Sequence, residues 1–350
     1  MDKQLTYSEQ QNVKNTLKLR EILKDLPAFC TTYFRGIEQT TASRTRIGYA
    51  TDLKVFFNYI HENIPEYSDI AVKDYKLDIL DSLKSTDIEG FLESLKYYEK
   101  DGKSFVNYER SIKRKLCSIR SMYKYFHIAQ LIEHNPSVQV NMPKIHDKAI
   151  VRLEVNEVSM LLDNVENGNL ATKKQQEAAK KLGTRDLALL TLLLGTGIRV
   201  SECVGLDIND VDFDNDRIKV VRKGGYEAFV YFGDEVREEL INYMELRKTI
   251  TPLEGHENAL FLSSQKKRMC VRSIEKLVKK YAQTVTTIKK ITPHKLRSTY
   301  GTALYQETND IYLVADVLGH KDVNTTRKHY ADMVEQNRRN ARNKVKLREP

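Results

Sequence analysis

Apolar residues recur at helical spacing along most of this chain. Ile47, Ala50, Leu53, Phe57 and Ile60 fall on one helix face, with Ser43 placed to cap the helix and Arg44 and Arg46 in its early turn. Before it, Leu26–Ile37 predicts a packed helix carrying Phe29, Tyr33 and Phe34, and residues 1 to about 25 read as a polar, partly helical lead-in. Ser85-Thr86-Asp87 caps a helix over Ile88–Tyr98. Phe105–Phe126 predicts the longest helix of this half, its apolar face formed by Ile112, Leu116, Ile119, Met122 or Tyr123, and Phe126. Arg110, Lys113, Arg114, Arg120 and Lys124 lie opposite that face.

The pattern breaks between Pro136 and Pro143, where turn formers and charge take over, and an extended interdomain linker is expected there. Beyond it, Leu153–Val165 is amphipathic, and a stretch rich in Ala, Lys and Gln follows, ending at Gly183. Asp186–Leu194 predicts a buried helix ending at Gly195. Ile218 and Val220, then Ala228–Phe232, predict two strands around the turn Lys223-Gly224-Gly225. Val236–Arg247 and Ser273–Ala282 are helical, and Pro293 opens another helix at a favoured early position. The fold class expected is mainly α with a small β-hairpin or sheet: a helical bundle over 1–140, a linker over 141–152, an α+β domain over 153–335 and a basic tail over 336–350.

Composition narrows the partner. The 350 residues hold 57 Lys and Arg against 48 Asp and Glu, a formal charge of +9, which suits a polyanion. Four scattered cysteines without a C-x-x-C pair read as reduced, buried thiols of a cytoplasmic protein. The polar N-terminus has no signal-peptide core, and the apolar run Leu187–Leu194 is far too short to span a bilayer, so no membrane association is expected. Asp212, Asp214 and Asp216 mimic the first ligands of a calcium loop, but Arg217 stands where such a loop needs glycine and Lys223 where it needs glutamate. Neither a metal site nor a phosphate-binding glycine loop is expected.

The candidate chemistry lies between His294 and Tyr330. His294 and Arg297 are three residues apart and share a helix face. His320 follows an apolar turn, and Tyr330 comes ten residues later among Arg327, Lys328 and His329. Arginines, histidines and a tyrosine without clustered carboxylates point to phosphoryl transfer onto a phenol and away from metal-assisted hydrolysis.

The segments H-K-L-R, L-G-H and the tyrosine ten residues on resemble the active-site signature of the tyrosine recombinases, the phage integrase and Xer family. G-T-G-I-R-V-S-E matches the family's upstream arginine segment through Arg199 and Glu202, and Lys223 lies where the family has a hairpin lysine. Ser298 stands where many relatives have a second histidine, a position outside the catalytic six. The resemblance implies Tyr330 as nucleophile, Arg199 and Arg297 as phosphate clamps, Glu202 orienting Arg199, and His320 as a donor to the phosphate. His294 then fits the base that takes the tyrosine proton, and Lys223 the acid that protonates the leaving 5′ oxygen.

The same resemblance makes the first half a core-binding domain gripping double-stranded DNA, with Arg44, Arg46, Arg110, Lys113, Arg114, Arg120 and Lys124 as candidate phosphate contacts. It implies an inverted-repeat target, a tetrameric synaptic complex, and no ATP, metal or other cofactor. The basic tail is expected to contact a neighbouring protomer. The stretch over 168–183 is longer than expected for the family, and single-recombinase Xer proteins of some low-GC bacteria carry a comparable extension. A type IB topoisomerase and a DNA-binding module without catalysis are the alternatives.

Overall fold

The computed structural model describes residues 5–100, 102–145, 151–222, 224–320 and residue 323. Its backbone contacts divide the chain into two units, residues 1–148 and 149–350.

In the first unit α1 (Tyr7–Leu23), α2 (Ala28–Gly36), α3 (Ser43–Asn63), α4 (Ile79–Ser82), α5 (Ser85–Ser94) and α6 (Glu109–Ile128) surround a core rich in aromatic rings. Phe29 meets Phe57 and Phe126 edge-on at 5.8 and 5.7 Å, the geometry that ring quadrupoles favour. The apolar face of α3 is buried at Ala50, Leu53, Phe57 and Ile60, as its spacing predicts. On α6 both Met122 and Tyr123 are buried, so the apolar stripe is wider there than either residue alone would make it. Truncating a buried ring such as Phe57 to alanine would cost about 3–5 kcal/mol, because the cavity left collapses only in part.

Several sequence expectations shift by a few residues, each for a local reason. Ser43 is the first helical residue of α3 rather than its cap: its hydroxyl donates to Asn12 on α1 at 2.8 Å and accepts from Asn15 at 3.0 Å. The helices expected to reach Tyr98 and to begin at Phe105 instead leave room for a hairpin, β1 (Tyr98–Lys100) and β2 (Lys103–Phe105). Gly102 lies between the two strands at φ +67°, and Tyr98 stacks on Phe105 across them at 5.2 Å.

The second unit comprises α7 (Val155–Glu166), α8 (Lys173–Thr196), α9 (Val200–Gly205), β3 (Val211–Asp212), β4 (Arg217–Val221), β5 (Glu227–Tyr231), α10 (Asp234–Lys248), α11 (Val271–Ala282), α12 (Pro293–Thr308) and α13 (Ile311–Leu318). Gly183 does not end a helix. It lies inside α8, whose ordered turns continue to Thr196. The end of α8 is buried at Ala188, Leu189, Leu190, Leu192 and Leu193, so it faces protein on several sides, packed among α7, α10 and α12. Asp186 is fully buried there and is held by Arg185 (3.0 Å), Lys280 (3.2 Å) and the Tyr281 hydroxyl (3.0 Å). A buried carboxylate persists only when paired in this way.

The strands form an antiparallel sheet in the order β3-β4-β5, with Ile218, Val220 and Val230 turned to the core. Gly224 and Gly225, at φ +103° and +84°, make the β4–β5 turn. The aspartates ahead of β4 serve ordinary pairing: Asp212 accepts from Arg217 Nε at 2.8 Å, and Asp216 pairs with Arg237. The cysteines divide. Cys30 and Cys203 are buried as expected, Cys117 is half-buried, and Cys270 is exposed ahead of α11. Among the described residues, no helix is long and apolar enough to cross a membrane.

Candidate active site

The site is built on the C-terminal end of α13. That helix closes in a Schellman turn: Gly319 takes φ +62°, His320 N–H donates to Ala315 O at 2.9 Å, and Gly319 N–H to Asp316 O at 2.8 Å. The turn leaves the carbonyls of Val317, Leu318 and Gly319 without those backbone donors, at the negative end of the helix. Three arginines from three other elements take them. Arg222, after β4, donates from Nη2 to Val317 O at 3.1 Å, Arg297 on α12 donates to Leu318 O, and Arg199 Nη2 reaches Gly319 O at 3.3 Å.

Arg297 also ties a second helix end to the first. Gly197 closes α8 at φ +62°, and its carbonyl accepts from Arg297 Nη1 at 2.7 Å. A Cβ at Gly197 would come within 2.4 Å of the Tyr300 ring and 3.0 Å of Leu318, so glycine is required both for the backbone angle and for the approach of the two ends. Arg297 is 5% exposed, and its guanidinium is held in one pose by these carbonyls.

Arg199 stands at the start of α9, two residues beyond Gly197. Glu202 orients it in two ways, accepting from the Arg199 backbone N–H at 2.8 Å and from Nη1 at 2.8 Å. The Glu202 side chain is 4% exposed, whereas Arg199 retains 35%. Behind them, burial and then the Glu202 charge push the Cys203 thiol up to about 12, so that thiol stays protonated.

Arg199, Arg297 and His320 are therefore brought together within one helix end. Two guanidinium groups on the successive carbonyls that lead into His320 concentrate positive charge and N–H donors, which fits an anion with several oxygens. His294 lies in the first turn of α12 and is exposed, one turn before Arg297. Lys223 and Tyr330 lie outside the described residues.

Arg222 is the residue that sequence reasoning missed. Ile218 and Val220 point inward on β4, and strand alternation carries that phase to position 222. A guanidinium on the inward face of a strand must find acceptors, which was the available signal.

The candidate DNA-contact cations behave differently from one another. Arg46 is buried and paired with Glu38 at 2.8 Å, Arg114 is bound to buried Asp52, and Arg120 holds Ser137 O at 3.0 Å. Those three side chains are engaged in holding the first unit together. Arg44, Arg110 and Lys124 are exposed, and Lys113 is half-exposed.

The phage integrase family model matches residues 151–337, more than half of the chain. This chain belongs to the phage integrase family. The tyrosine recombinase XerC of Caldanaerobacter subterraneus subsp. tengcongensis is 30% identical over 311 residues, covering 84% of this chain and 79% of its own. The tyrosine recombinase XerS of Streptococcus uberis is 29% identical over 359 residues, and there the match covers 94% of this chain and 98% of the relative. A solved structure of the XerH site-specific recombinase, bound to a palindromic difH substrate as a post-cleavage complex, has the same fold. It superposes with a TM-score of 0.64 at 16% identity over 97% of each chain. The two-unit, mostly helical architecture is thus that of the family.

Proposed function

We propose that this protein is a site-specific DNA recombinase that cuts and rejoins strands through a 3′-phosphotyrosyl link. The observation that carries this reading is the convergence of Arg199 and Arg297 on the Leu318 and Gly319 carbonyls, next to His320. In the proposed step the Tyr330 oxygen attacks the scissile phosphorus, and its proton passes to His294. A phenol ordinarily titrates near pH 10, so only about one in a thousand is ionised at neutral pH and a base is needed. Arg199, Arg297 and His320 hold the phosphate oxygens as charge builds on them. The bond from phosphorus to the 5′ oxygen breaks, and Lys223 gives that oxygen a proton, leaving a free 5′-hydroxyl. The covalent link conserves the bond energy, so a 5′-hydroxyl from a second duplex rejoins the strand by the reverse attack without ATP or a metal.

The first unit, as the core-binding domain over 1–140, supplies sequence-independent grip. Arg44, Arg110 and Lys124, which are exposed, and Lys113, which is half-exposed, are the cations proposed for phosphate contacts. Four protomers on two duplexes, each at an inverted-repeat site, would carry out exchange in the cytoplasm, with the tail over 336–350 joining neighbours. The end-to-end match to a XerS protein supports a single recombinase of the Xer kind. The test is a suicide substrate with a nick beside the cleavage position. A recombinase becomes covalently trapped on one defined sequence. Trapping on many sequences would indicate a topoisomerase, and binding without trapping a non-catalytic module; either result overturns the proposal.

A further inference from the structure

Arg222 makes contacts that the proposed chemistry does not yet use. It ends the inward-facing register of β4, and its backbone holds the mouth of the hairpin, where its N–H donates to Tyr226 O at 2.9 Å and its carbonyl accepts from Gly225 N–H at 3.0 Å. Its side chain leaves the hairpin and donates to Val317 O at 3.1 Å. The guanidinium passes so close under Gly319 that a Cβ there would fall 1.6 Å from Nη1 and 2.3 Å from Cζ. Gly319 therefore serves two ends: it closes the helix in the left-handed region, and it leaves the space that Arg222 fills. Arg222 Nε is buried without a hydrogen-bond partner among the described residues, a cost accepted for a contact that the strand alternation alone would not require.

We infer that Arg222 is a positioning residue that anchors the β4–β5 hairpin to the helix end presenting His320, and so sets the reach of the next residue, Lys223. This rests on the reading of Lys223 as general acid. The turn beyond carries Gly224 and Gly225 at positive φ, a backbone with little stiffness of its own. An ammonium on such a tip needs a fixed base to meet a leaving oxygen at hydrogen-bond distance, because displacement of about 1 Å is enough to cost on the order of 100-fold in rate. With Arg222 in place, the acid and the phosphate clamps share one rigid reference, the Val317–Gly319 carbonyls.

The experiment compares Arg222→Ala, Arg222→Lys and Lys223→Ala on matched suicide substrates with either oxygen or sulfur at the 5′ bridging position. Sulfur departs without a proton. Lys223→Ala should be slow on oxygen and near normal on sulfur, which tests the general-acid reading by itself. Arg222→Ala should lose about 10- to 100-fold on oxygen and recover most of it on sulfur, and Arg222→Lys should lose less. The double variant should be no slower than Lys223→Ala, since a positioning residue has no effect once the group it positions is gone. Equal losses for Arg222→Ala on both substrates, or none on either, would overturn the inference while leaving the Lys223 result intact.

A second measurement does not depend on the acid. Limited digestion of the free protein with a lysine-specific protease, followed by mass spectrometry, should show cleavage after Lys223 several-fold faster in Arg222→Ala, with other sites unchanged. An unchanged rate at that bond would show that Arg222 does not anchor the hairpin, whatever the substrates report.

Discussion

Replacing Arg199 by alanine should separate two tasks that one guanidinium performs. Glu202, with 4% of its side chain exposed, accepts from the Arg199 backbone N–H and from Nη1, each at 2.8 Å. Alanine keeps the first bond and deletes the second, so a carboxylate shielded from water loses its counter-charge. Stranding one partner of a fully buried pair costs about 3–5 kcal/mol. Arg199 is 35% exposed, and water can enter the space it vacates, so a loss of about 2–3 kcal/mol is expected. At about 2–4 °C per kcal/mol for a unit of this size, the melting temperature of the second unit should fall by about 4–12 °C. Adding Glu202→Gln removes the stranded charge and retains an acceptor for the same backbone N–H, so stability should return to within about 1 kcal/mol of wild type. Cleavage should not return. Losing one donor to the developing phosphate charge costs about 100- to 1,000-fold, and the glutamine supplies no replacement. Melts without DNA and suicide-substrate cleavage on the same three proteins test both halves. A double variant that melts no higher than the single would mean Glu202 was never stranded. Cleavage that recovers together with stability would mean the single variant was inactive through misfolding, and Arg199 would cease to be a phosphate clamp.

Tyr330→Phe should bind its DNA site normally and form no covalent complex; a surviving covalent band would remove Tyr330 as nucleophile. Cleavage should proceed unchanged in excess EDTA, and its abolition by chelation would refute the metal-free mechanism. Glu157 accepts from Lys289 at 2.5 Å and from the Glu154 backbone, interactions that hold its carboxyl below the usual range, chiefly through the Lys289 hydrogen bond. A depressed folded-state value stabilises above the ordinary glutamate range and is lost as pH falls through the folded value. Wild type should therefore exceed Glu157→Gln in stability at neutral pH, with the gap closing in acid; a gap constant down to pH 3 would contradict this. Stopping the chain after Asn337 should leave single-site binding near normal while weakening cooperative binding and recombination, measured by titrating half and full sites at fixed salt. An equal loss on both sites would make the tail a DNA contact and not a link between protomers.

Much of this protein is legible in its sequence because helical periodicity and the order of functional side chains are local properties. The stripes of α3 and α6, the glycine turn between β4 and β5, and Pro293 opening α12 follow from spacing and backbone preference alone. His294, Arg297 and His320 stood out by side-chain type and spacing, and Arg199 only through the resemblance of its segment to the tyrosine recombinase signature. The first hairpin was readable as well, since Asp101-Gly102 between Tyr98 and Phe105 is a two-residue turn signal that helical spacing on either side obscured. Gly183 misleads for the converse reason: its cost within a helix is about 1 kcal/mol, which the packing of α8 outweighs. What only the tertiary structure decided is where each cation is used. Arg46, Arg114 and Arg120 look like groove contacts on a helical wheel, yet Glu38, Asp52 and the Ser137 carbonyl hold them. Arg222, Arg297 and Arg199 come from separate stretches of chain and meet on three adjacent carbonyls. No local pattern encodes that meeting, because the acceptors are backbone groups that every residue carries and only the fold leaves unpaired.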